Sequence, residues 1–228
     1  MDLHPIIRHI IKTQNPETLR EGFLVYTREA FNLLPEIAEP RILDIGCGSG
    51  LAALELAAIS NGRITGVDID RKALDKLNVR IKNNGLTGRI NTVHSSLLKT
   101  GFPDQTFDLA WDEGTLHLLD TEKSAPEINR LLKSGGFLVM NETLNWLNAH
   151  LGIFETNGFK KRDQIVLPEK IWWTHYYAPL EIRIQNLERL EPESAELKKL
   201  KPIKQEIEMV KKDPGKFDCA FFILEQTG

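Results

Sequence analysis

The chain has 228 residues, with 29 lysines and arginines against 32 aspartates and glutamates, for a net charge of -3. That length suits one sizeable α/β domain with an accessory element, and the charge balance gives no global drive toward nucleic acid or an anionic membrane. Two cysteines without a C-x-x-C argue against a disulfide framework or a thiolate zinc site, and no long apolar run is present to span a bilayer.

The start, Met1 to Lys12, mixes His and Arg into its apolar stretch and does not read as a secretory signal, so a reducing cytoplasm is the expected location. Residues 1–40 read as helices. Pro16 and Glu17 open a segment carrying Leu19, Phe23, Val25 and Phe31, which ends near Pro35 and Pro40. This segment either caps the loop that follows or packs on a sheet edge.

The first strand is Arg41–Ile45. It ends in Asp44 and runs into Gly46-Cys47-Gly48-Ser49-Gly50, with an Ala/Leu-rich helix from Leu51 to Ile59. Alternate glycines remove Cβ atoms where a ligand must lie against bare backbone. The helix start points free N–H groups into the same space, and Asp44 can accept from a cationic amine. Cys47 reads as a small apolar filler. On the loop alone two cofactor classes stay open. Gly48 to Ala53 fits the G-x-G-x-x-A of dinucleotide enzymes, with Asp68 about twenty residues on. The longer pattern, acid-x-G-x-G-x-G, suits S-adenosylmethionine.

Strand two is Arg63–Val67. Its helix has Asp70 as N-cap, an apolar face of Leu74, Leu77 and Ile81, and Gly85 as a stop. Strand three is Ile90–Val93 and strand four Phe107–Trp111. Ser124-Ala125-Pro126-Glu127 reads as a capping box with proline in the first turn, opening a helix through Ile128, Leu131 and Leu132. Lys133-Ser134-Gly135-Gly136 closes that helix, and Phe137–Met140 is strand five. A helix over Leu144–Thr156, a sixth strand over Phe159–Leu167 and a last strand over Phe217–Glu225 complete the series. Repeated βα units imply a parallel sheet wound on both faces, with ligands at the carboxyl ends of its strands where strand order reverses. Residues 169–216 are an insertion. It opens on Trp172, Trp173, His175, Tyr176 and Tyr177, and continues charge-rich, with Pro192 and Pro202 as breaks. Its lysines alternate with glutamates, which reads as a solvated helix face rather than a nucleic-acid patch.

The stretch Asp44-Ile45-Gly46-Cys47-Gly48-Ser49-Gly50 resembles the cofactor loop of the class I S-adenosylmethionine-dependent methyltransferases. Gly66-Val67-Asp68-Ile69-Asp70 is similar to that family's end of strand two. Phe102 to Asp108 and Leu131 to Gly136 resemble its lead into strand four and its L-K-P-G-G turn, with Ser134 in place of proline. Trp111-Asp112-Glu113-Gly114, and Leu167-Pro168-Glu169 followed by Trp173-Thr174-His175-Tyr176-Tyr177-Ala178-Pro179, resemble the quinone-biosynthesis-type, or type 11, small-molecule subgroup.

The resemblance implies a Rossmann-like sheet of order 3-2-1-4-5-7-6 with the last strand antiparallel. It implies one domain over 1–228: a helical cap at 1–40, a core at 41–168 and 217–228, and a substrate lid at 169–216. It implies S-adenosylmethionine as cofactor and S-adenosylhomocysteine as product, held by Asp44, Gly46, Cys47, Gly48, Ser49, Gly50, Asp68, Ile69 and Asp112. Asp68 would accept from the ribose hydroxyls and Ile69 would lie against adenine. The acid that often follows strand three is replaced here by Ser95 or Ser96. The expected acceptor is a small molecule, with no nucleic acid, no membrane insertion and no metal. Glu113 is the candidate base or cation binder, and His175 and Tyr176 are candidates on the insertion. His117 resembles a helix-packing histidine of the family. The N-P-P-aromatic motif of amino methyltransferases is absent after strand four, and two cysteines are too few for arsenite methylation. A dinucleotide-dependent reductase, or a cofactor-binding protein without turnover, are the alternatives.

Overall fold

The apolar runs that read as strands form one seven-stranded sheet in the order β3-β2-β1-β4-β5-β7-β6. The computed structural model describes residues 16–193, 197 and 200–228, so expectations for residues 1–15 lie outside it. The chain divides into two compact units. One is Leu24–Val166 with Cys219–Gly228; the other is made of the described residues of 16–23 and 167–218.

The first unit holds the sheet: β1 (Arg41–Ile45), β2 (Arg63–Asp68), β3 (Ile90–His94), β4 (Phe107–Glu113), β5 (Leu132–Thr143), β6 (Phe159–Val166) and β7 (Cys219–Gln226). Strands β1 to β5 pair in parallel, and β7 runs antiparallel between β5 and β6. The chain leaves β1 toward β2 on one side and returns to β4 on the other. Strand order therefore reverses between β1 and β4, where such sheets open a crevice at the strand carboxyl ends. The register puts Asp44 beside Trp111 and Ile45 beside Asp112 at that point.

Helix α2 (Leu24–Asn32) also belongs to the sheet unit; the short α1 (Pro16–Arg20) belongs to the other. Helices α3 (Leu51–Ile59), α4 (Arg71–Asn83), α5 (Thr121–Leu131) and α6 (Leu144–Thr156) bury apolar faces against the strands. The central cluster includes Leu43, Val67, Ala110, Ile128, Met140 and Phe222. Helix α4 starts as its sequence requires, with Asp70 accepting from Lys72 N at 2.8 Å and Ala73 N at 3.3 Å.

Helix α5 differs from expectation. It begins at Thr121, so Ser124 and Pro126 lie inside it rather than at its cap. Ser124 and Ala125 are fully buried, and that burial holds the preceding turn helical although proline removes one main-chain donor. Strand β4 runs two residues further than Trp111 and β5 three further than Met140, as far as Glu113 and Thr143. That extension makes the polar residues Asp112, Glu113, Asn141 and Glu142 part of the sheet's carboxyl edge.

The second unit has its own apolar cluster. Trp173–Tyr177 form a π-turn that continues as α7 (Ala178–Leu190), and α8 (Lys201–Lys212) follows. Tyr177, Leu180, Ile184, Leu187, Ile207 and Val210 pack together. Phe23 stacks on Trp172 at 4.5 Å, and Tyr177 Oη donates to Glu206 at 2.6 Å. Pro202 lies in the first turn of α8, where it supports the helix instead of breaking it.

Candidate cofactor and acceptor site

The loop between β1 and α3 is folded back on β2: Gly46 N and Cys47 N both donate to Val67 O, at 2.8 and 3.2 Å. Gly46, Gly48 and Gly50 have φ of 67°, 52° and 88°. They do different work. A Cβ on Gly46 would lie 2.0 Å from Thr115 Oγ1, and one on Gly50 would lie 2.1 Å from Leu77 Cδ1. Protein side chains therefore require those two glycines. A Cβ on Gly48 would meet nothing nearer than 4.0 Å, so Gly48 is where the loop presents bare backbone to open space. Cys47 is buried, and its burial and the acids around it push its thiol pKa well up, which removes it as a nucleophile. Ser49 contributes its carbonyl to Arg80 at 3.1 Å.

Asp44, at the end of β1, is 2% exposed. Among the described residues its Oδ2 has no hydrogen-bond partner. Burial, reinforced by Glu113 and Asp68, pushes its carboxyl up to about 8. An ordinary core acid has a partner, because a desolvated carboxylate oxygen without one is costly. Asp68, at the end of β2, accepts from Gly48 N on one oxygen and Asp70 N on the other, each at 2.7 Å. Each oxygen keeps capacity for a second donor. Ile69 beside it is 72% exposed, and its carbonyl meets His94 Nε2 at 2.9 Å. Ser95 Oγ is turned onto the carbonyls of Ser96 and Lys99, whereas Ser96 starts the next turn without using its hydroxyl as a cap.

At the end of β4 two acids behave differently. Asp112 is fully buried; its Oδ1 accepts from Thr115 N and Leu116 N, both at 3.0 Å, and its Oδ2 has no partner among the described residues. Burial, then the neighbouring Glu142, raises its pKa strongly. Glu113 Oε1 accepts from Thr27 Oγ1 and Trp111 Nε1, each at 2.8 Å. His117 does not pack as a buried histidine: its side chain is 43% exposed, and its ring Nδ1 sits 2.9 Å from Glu142 Oε2.

The sheet's carboxyl edge thus brings together Asp44, Asp68, Ile69, Ser95, Ser96, Asp112 and Glu113. His175 and Tyr176 lie in the other unit. There His175 Nδ1 meets Thr174 Oγ1 at 2.8 Å and its ring stands edge-on to Phe23, while Tyr176 packs against Trp172 and Tyr177. The sequence reading missed Thr27, Thr115 and Glu142. Thr27 and Glu142 act through partners 86 and 25 residues away, and Thr115, whose N–H goes to Asp112 three residues back, is set against Gly46 only by folding; no local motif marks them.

This combination, a glycine loop after β1, a buried acid beneath it with one oxygen unpartnered among the described residues, an acid at the end of β2 and an antiparallel seventh strand, defines the class I methyltransferase fold. Residues 43–140 match the family model described as a methyltransferase domain. The 27-O-demethylrifamycin SV methyltransferase of Amycolatopsis mediterranei is 30% identical over 128 residues, covering 56% of this chain and 47% of that protein. A sterol 24-C-methyltransferase of Gibberella zeae is 31% identical over 123 residues, covering 54% of this chain and 31% of that protein. The matched stretch therefore spans about half or less of those relatives. Among solved structures, the [4+2]-cyclase SpnF superposes with a TM-score of 0.75 at 18% identity, covering 91% of this chain and 80% of that one. The cofactor of this domain class is S-adenosylmethionine. The residues present fit it: the unpartnered oxygen of Asp44 suits an ammonium group, and the open face of Gly48 leaves room for a ligand against backbone. No helix among the described residues is long and apolar enough to cross a membrane.

Proposed function

We propose that this protein transfers a methyl group from S-adenosylmethionine to a small-molecule acceptor in the cytoplasm. The observation that carries the reading is the buried, unpartnered oxygen of Asp44 beside the open backbone of Gly48. Asp44 would take the ammonium, Asp68 the ribose hydroxyls, Ile69 one face of the adenine and Ser95 or Ser96 its edge. Gly46, Cys47, Ser49, Gly50 and Asp112 would shape the loop around them. The cofactor supplies an electrophilic methyl group on a sulfonium sulfur. The chain's task is to align the acceptor and exclude water.

Glu113, held from two sides by Thr27 and Trp111, is suited to orienting the acceptor. His175 and Tyr176 would contact the acceptor as part of a lid at 169–216, where aromatic faces can cover a ring. The net charge of -3 and the small-molecule names of both relatives support a small acceptor over nucleic acid. Fold alone does not fix the reaction, since a cyclase shares it.

Calorimetric titration with S-adenosylhomocysteine and with NADH tests the cofactor. Saturable binding of the first and none of the second is expected; the reverse sinks the proposal in favour of a reductase. Turnover on a panel of acceptors separates an enzyme from a protein that only binds the cofactor. Deleting 169–216 should keep cofactor binding and remove transfer.

A further inference from the structure

Three successive main-chain donors after β4 are held by two buried acids. Asp112 Oδ1 takes Thr115 N and Leu116 N, and Glu142 Oε1 takes His117 N at 3.1 Å. Glu142, on β5 and 5% exposed, also takes the His117 ring: its two oxygens lie 3.0 and 2.9 Å from Nδ1. The same carboxylate thus fixes both the backbone and the ring of one histidine. A carboxylate only accepts, so Nδ1 carries the proton, and in the neutral ring Nε2 is left as the acceptor. That ring is 43% exposed and stands four residues past Glu113, beyond the carboxyl end of β4 and against Glu142 of β5. Leu118 beside it is 73% exposed and offers an apolar wall. This is the arrangement of a base oriented by a buried acid.

We infer that His117 is the general base that takes the proton of an acidic O–H acceptor, a phenol or enol, with Glu142 as the residue that positions its ring. The inference rests on the methyl-transfer reading. The acceptor O–H bond breaks, its proton goes to Nε2, and an oxygen lone pair forms the new bond to the methyl carbon. The carbon–sulfur bond breaks with its electron pair on sulfur, and the imidazolium later returns its proton to water. Glu142, from β5, is the titratable group against the ring, while Asp112, from β4, holds the two main-chain donors just before it and lies near enough to Glu142 to feel its charge. Of these, Asp112 is driven toward its neutral form, which leaves the charge on Glu142 to stabilise the imidazolium. A cationic amine acceptor would be repelled by that imidazolium.

The test uses the full chain with 15N-labelled histidine. Neutral His117 is expected in the Nδ1–H form, and Glu142→Gln should lower its pKa. An Nε2–H form in the wild type overturns the inference, and that measurement stands even if Glu142→Gln does not fold. A second arm loads the protein with S-adenosylhomocysteine and adds 4-nitrophenol at a pH where the free phenol is largely un-ionised. A phenolate absorbance band that falls at least tenfold in His117→Gln supports the base. No band, or the same band in that variant, overturns it. Failure of S-adenosylhomocysteine to bind would instead sink the methyltransferase reading itself.

Discussion

Thr27 donates to Glu113 at 2.8 Å across 86 residues of sequence, from the middle of α2 to the last residue of β4. Thr27 is fully buried, and the same carboxylate oxygen takes the indole of Trp111, which is also fully buried. The two donors have no water to turn to. Glu113 therefore ties α2 to the sheet edge whatever it does for an acceptor.

Glu113→Ala should destabilise the protein by about 1–3 kcal/mol, the usual cost of leaving buried donors without an acceptor. Glu113→Gln keeps an acceptor oxygen for both donors, so its loss should be less than half as large. Urea unfolding of the two variants checks this. Equal losses would mean that the charge, not the acceptor, holds the contact.

Much of this architecture is legible in sequence, and what is not has a common cause. The bounds of β1, α3 and α6 agree with expectation because apolar runs there end at glycines or at a helix cap. The start of α5 does not, since Ser124-Ala125-Pro126-Glu127 has the local form of a first turn, and only tertiary burial of Ser124 places it inside the helix. In the site, Asp44, Gly48 and Asp68 are marked by a contiguous motif. The pairs Thr27–Glu113 and His117–Glu142 are made by folding, 86 and 25 residues apart, and no spacing rule predicts them.

The loop glycines should separate by substitution. Gly50→Ala forces a methyl group to within 2.1 Å of Leu77 Cδ1 at a left-handed backbone position, so thermal stability should drop markedly. Gly48→Ala meets no neighbour, leaving a strain of about 1–2 kcal/mol from its positive φ. It should nevertheless abolish binding of S-adenosylhomocysteine, since the methyl group fills the open face. Scanning calorimetry beside titration calorimetry reads both effects. Retained affinity in Gly48→Ala would show that the ligand does not lie there.

Asp68 holds the loop as well as any ligand. Its two oxygens fix Gly48 N and Asp70 N, so Asp68→Ala removes a scaffold and a ribose contact together. A charged hydrogen bond is worth about 1.5–3 kcal/mol, which corresponds to roughly ten- to hundredfold in affinity for S-adenosylhomocysteine. Adenosine, which has the ribose but no amino-acid tail, should lose affinity by a similar factor. Loss for S-adenosylhomocysteine alone would assign Asp68 to the tail instead.

Asp44 gives the site a pH signature. Its carboxyl is raised from 3.8 to about 8, first by burial and then by the charges of Glu113 and Asp68. In the unfolded chain it ionises near its ordinary value, so between about pH 4 and 8 the folded state holds a proton that the unfolded state lacks. Folding stability from this group is therefore full at low pH and is lost as pH rises through that window, with a limiting slope of about 1.4 kcal/mol per unit. Asp44→Asn cannot ionise, so its stability should fall less over the window, and it should be the more stable protein at pH 8 without ligand. Binding runs the other way. An ammonium group needs the ionised carboxylate, so below about pH 8 each bound ligand must expel the Asp44 proton. Affinity for S-adenosylhomocysteine should rise about tenfold per pH unit up to that point and then level off. Titration in buffers of different ionisation enthalpy would count the released proton directly. In Asp44→Asn the slope should vanish, with affinity lower by about 2–5 kcal/mol, since a buried charge has lost its partner. A pH-independent affinity in the wild type, with no proton released, would separate Asp44 from the ammonium and remove the main support for the cofactor assignment.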